Sequence, residues 1–382
     1  MKNAYDVVII GGGIVGCALA FELAKRGRSD VLIVEKEYLT SGATGRCGAG
    51  IRQQWGTELN ITLARDSIRI FEKLEEYTGY DKDCGLRQGG YLILAYTESE
   101  WEQFQKNYTL QRSLDIPVHR LDPLGAKEVV PHLNTDGIIG AMFCGTDGFT
   151  DPFHCTHAYA KGAQRMGVDI ATYTQVIGLT TENDKITGVE TTKGNVKANL
   201  VINATGPHAS QITNMVGVDV PILPERHPIL VTEPVNHIQD PMVISFHHHF
   251  YCQQTPHGSF VMGIGDPSEP VSYNIGSNWS FLELCAEKVT NALPVLKDIR
   301  IVRQWAGLYD MTPDRAHIID EAESVKGLYT VAGFSGHGFM VAPKTAIIIA
   351  QHLCGEPEDI EISLFSAKRF ETGALLLEPS VV

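Results

Sequence analysis

The stretch YDVVIIGGGIVGCALAFELAKRG, residues 5–27, decides the fold. YDVVII (5–10) is a short run rich in β-branched residues, apolar at successive positions, as in a strand buried on both faces of a parallel sheet. GGGIVG (11–16) follows, and CALAFELAKRG (17–27) predicts a helix that stops at Gly27. DVLIVEKE (30–37) predicts a second strand. The order is therefore strand, Gly-rich turn, helix, strand, with Gly11, Gly13 and Gly16 in G-x-G-x-x-G spacing. Glycines there permit a tight turn, close approach of backbone to a pyrophosphate, and close helix–strand packing. Ile14 and Val15 complete the turn, where a helix start offers N–H groups and a positive dipole end to phosphates. Glu35, followed by Lys36, stands at the end of the second strand, where a carboxylate accepts hydrogen bonds from ribose hydroxyls. Strand, helix and acid at these spacings make a dinucleotide site a far better reading than a glycine turn without a ligand.

The rest of the composition narrows the class. At 382 residues the chain is long enough for two domains, and 43% hydrophobic with 20% charged residues is ordinary for a globular protein. The net charge of −14, with no Lys/Arg run, argues against nucleic acid as a partner. The eight cysteines form no C-x-x-C and read as reduced thiols of a cytoplasmic protein. MKNAYDVVIIGGGIVGCALA has the outline of a signal peptide, but Asp6 and the glycines favour the strand–turn–helix reading. No stretch of 18 uninterrupted apolar residues occurs, so no membrane span is expected.

After Lys36 comes a long loop of small residues, YLTSGATGRCGAGIRQQWG (38–56), which an ordinary NAD domain lacks. Here the sequence resembles the FAD-dependent amine and amino-acid oxidoreductases that include D-amino-acid, glycine and sarcosine oxidases. Ser41, Thr44, Arg46, Cys47, Gly48, Ala49 and Gly50 match the loop that follows the ribose-binding acid in that family. The resemblance continues at TYTQVIGLTTE (172–182), where Val176 matches the adenine-holding strand, and at NATG (203–206), which brings Ala204, Thr205 and Gly206 near FAD. KITGVETTKGNVKANLVIN (185–203) between them predicts two strand-like runs with a turn. GFSGHGFM (333–340) then matches the Gly-rich turn that closes over the flavin ring: Gly333, Ser335, Gly336, His337, Gly338, Phe339 and Met340. Fixed backbone donors there stabilise the negative charge that builds at flavin N1 and O2 on reduction. A helix is expected to follow at 342–355. The first turn holds phosphates and the last holds the ring, which is why they stand so far apart in sequence.

The implied fold is α/β: a Rossmann-like FAD-binding domain (1–83, 145–215 and 312–382) interleaved with an antiparallel-sheet substrate domain (84–144 and 216–311). The alternating runs GGYLILAY (89–96), HPILVTEP (227–234), HFYCQQT (249–255) and SFVMGIG (259–265) predict that sheet. Arg52 matches the arginine that binds the substrate carboxylate in monomeric sarcosine oxidases, a task suited to a bidentate guanidinium. Tyr309 and Tyr251 match pocket aromatics, with Phe250 as a competitor, since a one-residue shift swaps strand faces. His337 either bonds the flavin edge or caps the helix.

Three positions depart from the monomeric enzymes. Gly307 replaces the cysteine that links FAD covalently, which implies non-covalent FAD; Val261 replaces an oxygen-activating lysine; Met340 replaces a second carboxylate-binding cation. With WAGLYDMTPD (305–314), these departures are more similar to the β subunits of heteromeric sarcosine oxidase and dye-linked L-proline dehydrogenase. That resemblance implies a partner subunit and FMN or another carrier at its interface. Pro152 stands where a histidine carries covalent FMN, so it does not imply that link.

The expected activity is FAD-dependent oxidation of the C–N bond of a secondary amino acid, sarcosine- or proline-like, with electrons passed to an acceptor. Two alternatives stay open: a self-contained glycine or sarcosine oxidase making hydrogen peroxide, and a non-catalytic FAD-holding subunit. His154 and His157 share a helix face, but Thr150-Asp151-Pro152 reads as a helix start, and no metal is assigned. His247, His248 and His249, read in a strand, alternate faces and receive no role.

Overall fold

A computed structural model describes residues 1–266 and 268–379. The strand Val7–Ile10 lies inside a six-stranded sheet in the order Ile318–Glu321, Leu328–Ala332, Leu200–Asn203, Val7–Ile10, Val31–Val34, Asp169–Ala171. Neighbours pair in parallel, except that the edge strand Ile318–Glu321 is antiparallel to Leu328–Ala332. The period of two explains why these strands are apolar throughout. Val7, Ile9, Val31 and Ile33 pack among the helices Ile14–Lys25, Pro152–Arg165 and Gly338–Cys354. Val8, Ile10, Leu32 and Val34 pack on Val176, Ile186, Val189 and Val196 of a three-stranded antiparallel sheet. Each such burial contributes about 1.5–3 kcal/mol.

The second layer system is an eight-stranded sheet in the order Ile301–Met311, Leu223–Thr232, Phe260–Ile264, Phe250–Gln254, Met242–Ser245, Tyr91–Ala95, Gly140–Cys144, Val118–Leu121. It is antiparallel save for one parallel pair, Met242–Ser245 with Tyr91–Ala95. Leu92, Leu94, Val243, Phe250, Cys252, Phe260 and Met262 face the helix Trp279–Ala292. Tyr91, Ile93, Met242, Ile244 and Tyr251 face the other way, into the core shared with the dinucleotide-type unit. This α/β architecture is the expected class.

Several local expectations need correction. The first helix starts at Ile14, inside GGGIVG, and ends at Lys25, with Gly27 at φ +84°. The last helix starts at Gly338, four residues before the expected start at 342, and carries Pro343 inside it. Proline favours a first-turn position, but here the turn Phe334–His337 sets the start. Residues 185–203 form three strands, Lys185–Thr191, Gly194–Lys197 and Leu200–Asn203, because Thr192-Lys193 turns a hairpin between the first two, with Gly194 opposite Thr191. His247–His249 lie in the turn before Phe250–Gln254, not in a strand. All eight cysteines are free thiols, and no described helix is long and apolar enough to cross a membrane.

Candidate active site

The first turn is organised by Glu35. Its carboxylate accepts from the Gly12 amide (2.8 Å), the Glu37 amide (2.9 Å) and the Ser41 hydroxyl (3.3 Å). A carboxylate has about four acceptor sites, so capacity for a further hydroxyl remains. Gly16 must be glycine because a Cβ there would overlap the carbonyl of Gly11. The Ile14 amide donates to Thr44 Oγ1 at 3.2 Å, which folds the small-residue loop over the helix N-terminus. Lys36 Nζ stands 3.5 Å from His208 Nε2. Val176 opens its strand beside Thr174, whose amide donates to the Glu35 carbonyl at 2.8 Å.

The loop then turns toward the large sheet. Arg46 donates to the Ser41 and Ala306 carbonyls (3.2 and 3.4 Å), and Trp305 Nε1 donates to the Arg46 carbonyl at 3.0 Å. Gly307 lies directly against the Arg46 Cβ. Cys47 Sγ donates to the Thr44 carbonyl (3.0 Å), Gln253 Nε2 donates to the Gly48 carbonyl (2.9 Å), and Ala49 takes φ +50°. Gly50 meets the Tyr91 hydroxyl. The Ala204 amide donates to the Ile10 carbonyl, and Thr205 Oγ1 donates to Asn203 Oδ1 at 2.7 Å. Gly206 takes φ +55° next to the Asp310 carboxylate.

Asp310 carries the last Gly-rich turn. Its carboxylate accepts from the Gly333 amide at 2.7 Å and its carbonyl from the Ser335 amide at 3.1 Å. Burial pushes this carboxyl up to about 6 despite those donors. Ser335 has φ +47°, and Gly336 has φ +92° with the Tyr309 ring against its Cα. Phe339 stacks on Phe71 (centroids 5.5 Å, 21°) and Met340 packs on the same core, so these two contribute backbone, not side chains, to the turn. The turn at 11–16, the loop at 41–50, the segment 204–206, Gly307 and the turn at 333–338 thus form one continuous lining.

At its sheet side stands Arg52, only 4% exposed, with its guanidinium over the Trp55 ring (4.1 Å) and near the Phe246 ring (5.3 Å). Burial lowers its pKa, while Tyr91, Glu378 and Asp147 raise it. Trp55 meets the His337 ring edge-on at 5.0 Å. His337 is pushed down to about 3, first by burial and then by the Arg52 charge, so its imidazole is neutral at physiological pH. Its Nδ1 has no hydrogen-bond partner among the described residues. Tyr309 is half-buried, stacked on His227 (3.6 Å, 14°), and burial raises it to about 12. Tyr251 lies over Gly48 and Gly263, and burial raises its phenol and that of Tyr91 as well. All three phenols therefore stay protonated. The alternation also separates Tyr251, facing this lining, from Phe250, which faces the helix Trp279–Ala292.

A model for the family described as FAD dependent oxidoreductase (DAO) matches residues 6–352. The chain belongs to this family. This oxidoreductase is 30% identical over 388 residues to sarcosine oxidase subunit beta of Arthrobacter sp, covering 99% of the chain and 94% of that protein. It superposes on L-proline dehydrogenase from P. horikoshii with a TM-score of 0.92 at 38% identity, covering 98% of the chain and 99% of the other. Glycine oxidase from Geobacillus kaustophilus gives 0.86 at 25% identity, covering 96% and 99%. FAD is the cofactor of this family, and the lining fits it: a glycine cradle at one end, a ribose-competent carboxylate, and positive-φ turns at the other.

Sequence reasoning missed Trp55, Tyr91, Asp147, Phe246, Asp310 and Glu378. Tyr91 stood in a correctly expected strand, and its alternation with Leu92 was the available signal. Asp147 and Asp310 gave none, since each supports a loop remote in sequence. His154 and His157 do not converge: His154 Nδ1 is 3.0 Å from the Tyr80 hydroxyl and His157 Nδ1 is 2.8 Å from the Phe153 carbonyl. Asp151 caps that helix, accepting from the Phe153 and His154 amides, with Pro152 as its first residue.

Proposed function

We propose that this oxidoreductase oxidises the C–N bond of a secondary amino acid, sarcosine- or proline-like. The observation that carries the reading is Arg52: a buried guanidinium, flanked by Trp55 and Phe246, beside the neutral His337. A planar guanidinium fork matches a substrate carboxylate bidentately, and the dry aromatic surround strengthens that pairing. FAD, when bound, supplies the hydride acceptor at flavin N5. Gly11, Gly13, Ile14, Val15 and Gly16 would hold its pyrophosphate, Glu35 and Lys36 its ribose, and Val176 its adenine. Ser41–Gly50, Ala204–Gly206 and Gly333–Met340 would enclose the rest. Non-covalent retention is supported by Gly307, which offers no side chain for a link.

Arg52 fixes the carboxylate and Tyr251 and Tyr309 confine the amine between aromatic faces, which aligns the α-hydrogen with its acceptor. The substrate amine is neutral when it reacts, and a neutral His337 adds no repelling charge. The dinucleotide part would comprise 1–83, 145–215 and 312–382, and the substrate part 84–144 and 216–311. Similarity to a protein named as a sarcosine oxidase β subunit supports a partner chain; FMN at the shared interface as a carrier, and a cytoplasmic location, are parts of the proposal that rest on the sequence alone. Similarity to a glycine oxidase supports a second reading, an oxidase that makes hydrogen peroxide unaided.

The test is an anaerobic absorption titration of the FAD-loaded chain with L-proline, sarcosine, glycine and D-amino acids. Bleaching by sarcosine or L-proline is expected, and in Arg52→Ala the half-saturating concentration rises at least about tenfold. A flavin band that no secondary amino acid bleaches would overturn the reading. Slow reoxidation in air supports the partner-dependent route, and stoichiometric peroxide supports the oxidase.

A further inference from the structure

We propose that Asp147 is the positioning residue for Arg52, a buried carboxylate that fixes the backbone from which the substrate-binding guanidinium projects. This rests on the reading of Arg52 given above. The short antiparallel pair Gly50–Ile51 with Gly148–Phe149 places Ile51 opposite Gly148. The next residues outward are Arg52 and Asp147. Asp147 is wholly buried, and its carboxylate turns back onto the other strand. Oδ1 accepts from the Gln53 amide at 2.8 Å and from Gln53 Nε2 at 3.3 Å, and Oδ2 accepts from Gln54 Nε2 at 2.9 Å.

The bonds around it lock the whole segment 52–55. Gln53 Nε2 also donates to Thr146 Oγ1 (2.9 Å), and Gln54 Nε2 to the Tyr91 carbonyl (3.1 Å). Trp55 Nε1 donates to the Arg52 carbonyl at 3.0 Å, and Gln111 Nε2 to the Trp55 carbonyl at 2.7 Å. Trp55 is in turn the ring on which the guanidinium rests. The backbone on both sides of Arg52 and the surface beneath its side chain therefore hang on one network. An ionised carboxylate without water is expensive, and here burial holds it toward its neutral form. Three N–H donors converge on its two oxygens, and an amide, with one acceptor oxygen and an NH2 that only donates, cannot receive them all.

The test uses the FAD-loaded chain and the amino acid that bleaches it. KM and kcat are measured for wild type, Arg52→Ala, Asp147→Asn and the double variant, with the Kd of acetate read from the flavin spectrum. Gln54→Met, which removes the donor to Oδ2, stands in if Asp147→Asn does not fold. Asp147→Asn is expected to raise KM and the acetate Kd about tenfold while changing kcat less than about threefold. In the Arg52→Ala background it should do nothing further, because the residue acts through Arg52. Gln54→Met should show a smaller rise of the same kind. The proposal is overturned if Arg52→Ala raises KM but Asp147→Asn (or its stand-in) does not, or if the two effects multiply independently. If Arg52→Ala leaves KM unchanged, the substrate reading itself falls, a result distinguishable from failure of the Asp147 role.

Discussion

Asp310 and Asp147 are the residues at which charge and fold conflict most directly. Burial raises both carboxyls to about 6, above the unfolded value near 4. A raised carboxyl contributes stability that is fully present below the unfolded value and is lost as pH rises through the folded one. Between about pH 4 and pH 6 each therefore costs up to about 3 kcal/mol on ionising. The neutral variant Asp310→Asn keeps an acceptor for the Gly333 amide and escapes that cost. Its melting temperature relative to wild type should rise on going from pH 5 to pH 8. A difference that stays constant across that range would show that Asp310 is not held near 6. His337, lowered to about 3 in the fold, makes both proteins more stable as pH rises toward its unfolded value, but it does so equally in each and cancels from the difference.

Among the elements, the decisive one is the turn that feeds the helix Gly338–Cys354. Gly336 has a positive φ and its Cα faces the Tyr309 ring, so a methyl group meets both a strained backbone and an occupied space. Gly336→Ala should displace Tyr309 or the turn, and with it the retained flavin. The expected outcome is less than half the flavin per chain after purification, read from the absorbance ratio, with the fold preserved by circular dichroism. Full flavin content with normal turnover would mean that the turn does not touch the cofactor. Strand alternation is the counterpart in the large sheet. Leu92 against Tyr91, and Phe250 against Tyr251, fall on opposite faces because successive residues must. The pattern was legible in sequence, whereas its direction was not: two apolar faces look alike until each has a neighbour.

At the scale of the molecule, the chain closes on itself through Glu378. Its carboxylate accepts from the Gly56 amide (2.7 Å), Thr57 Oγ1 (3.0 Å) and Asn60 Nδ2 (2.9 Å), at the start of the helix Glu58–Phe71. A negative group there complements the helix dipole and its unpaired amides. Glu378→Ala should lower stability by about 1–2 kcal/mol in denaturant unfolding. An unchanged midpoint would make the contact incidental. The residues 7–10, 11–16 and 31–35 by themselves determined a dinucleotide-type unit, because strand, glycine turn, helix and acid are local patterns with one common solution. The run GFSGHGFM could be matched to a flavin turn for the same reason. What only the tertiary structure decided is which remote groups hold those turns: Asp310 beneath Gly333, Asp147 beneath Gln53 and Gln54, Trp55 between Arg52 and His337. The physical reason is that a glycine turn or a helix start is a backbone property of neighbours in sequence. A buried charge is stabilised by whatever the packed chain brings beside it, and nothing in its own surroundings along the sequence announces that partner.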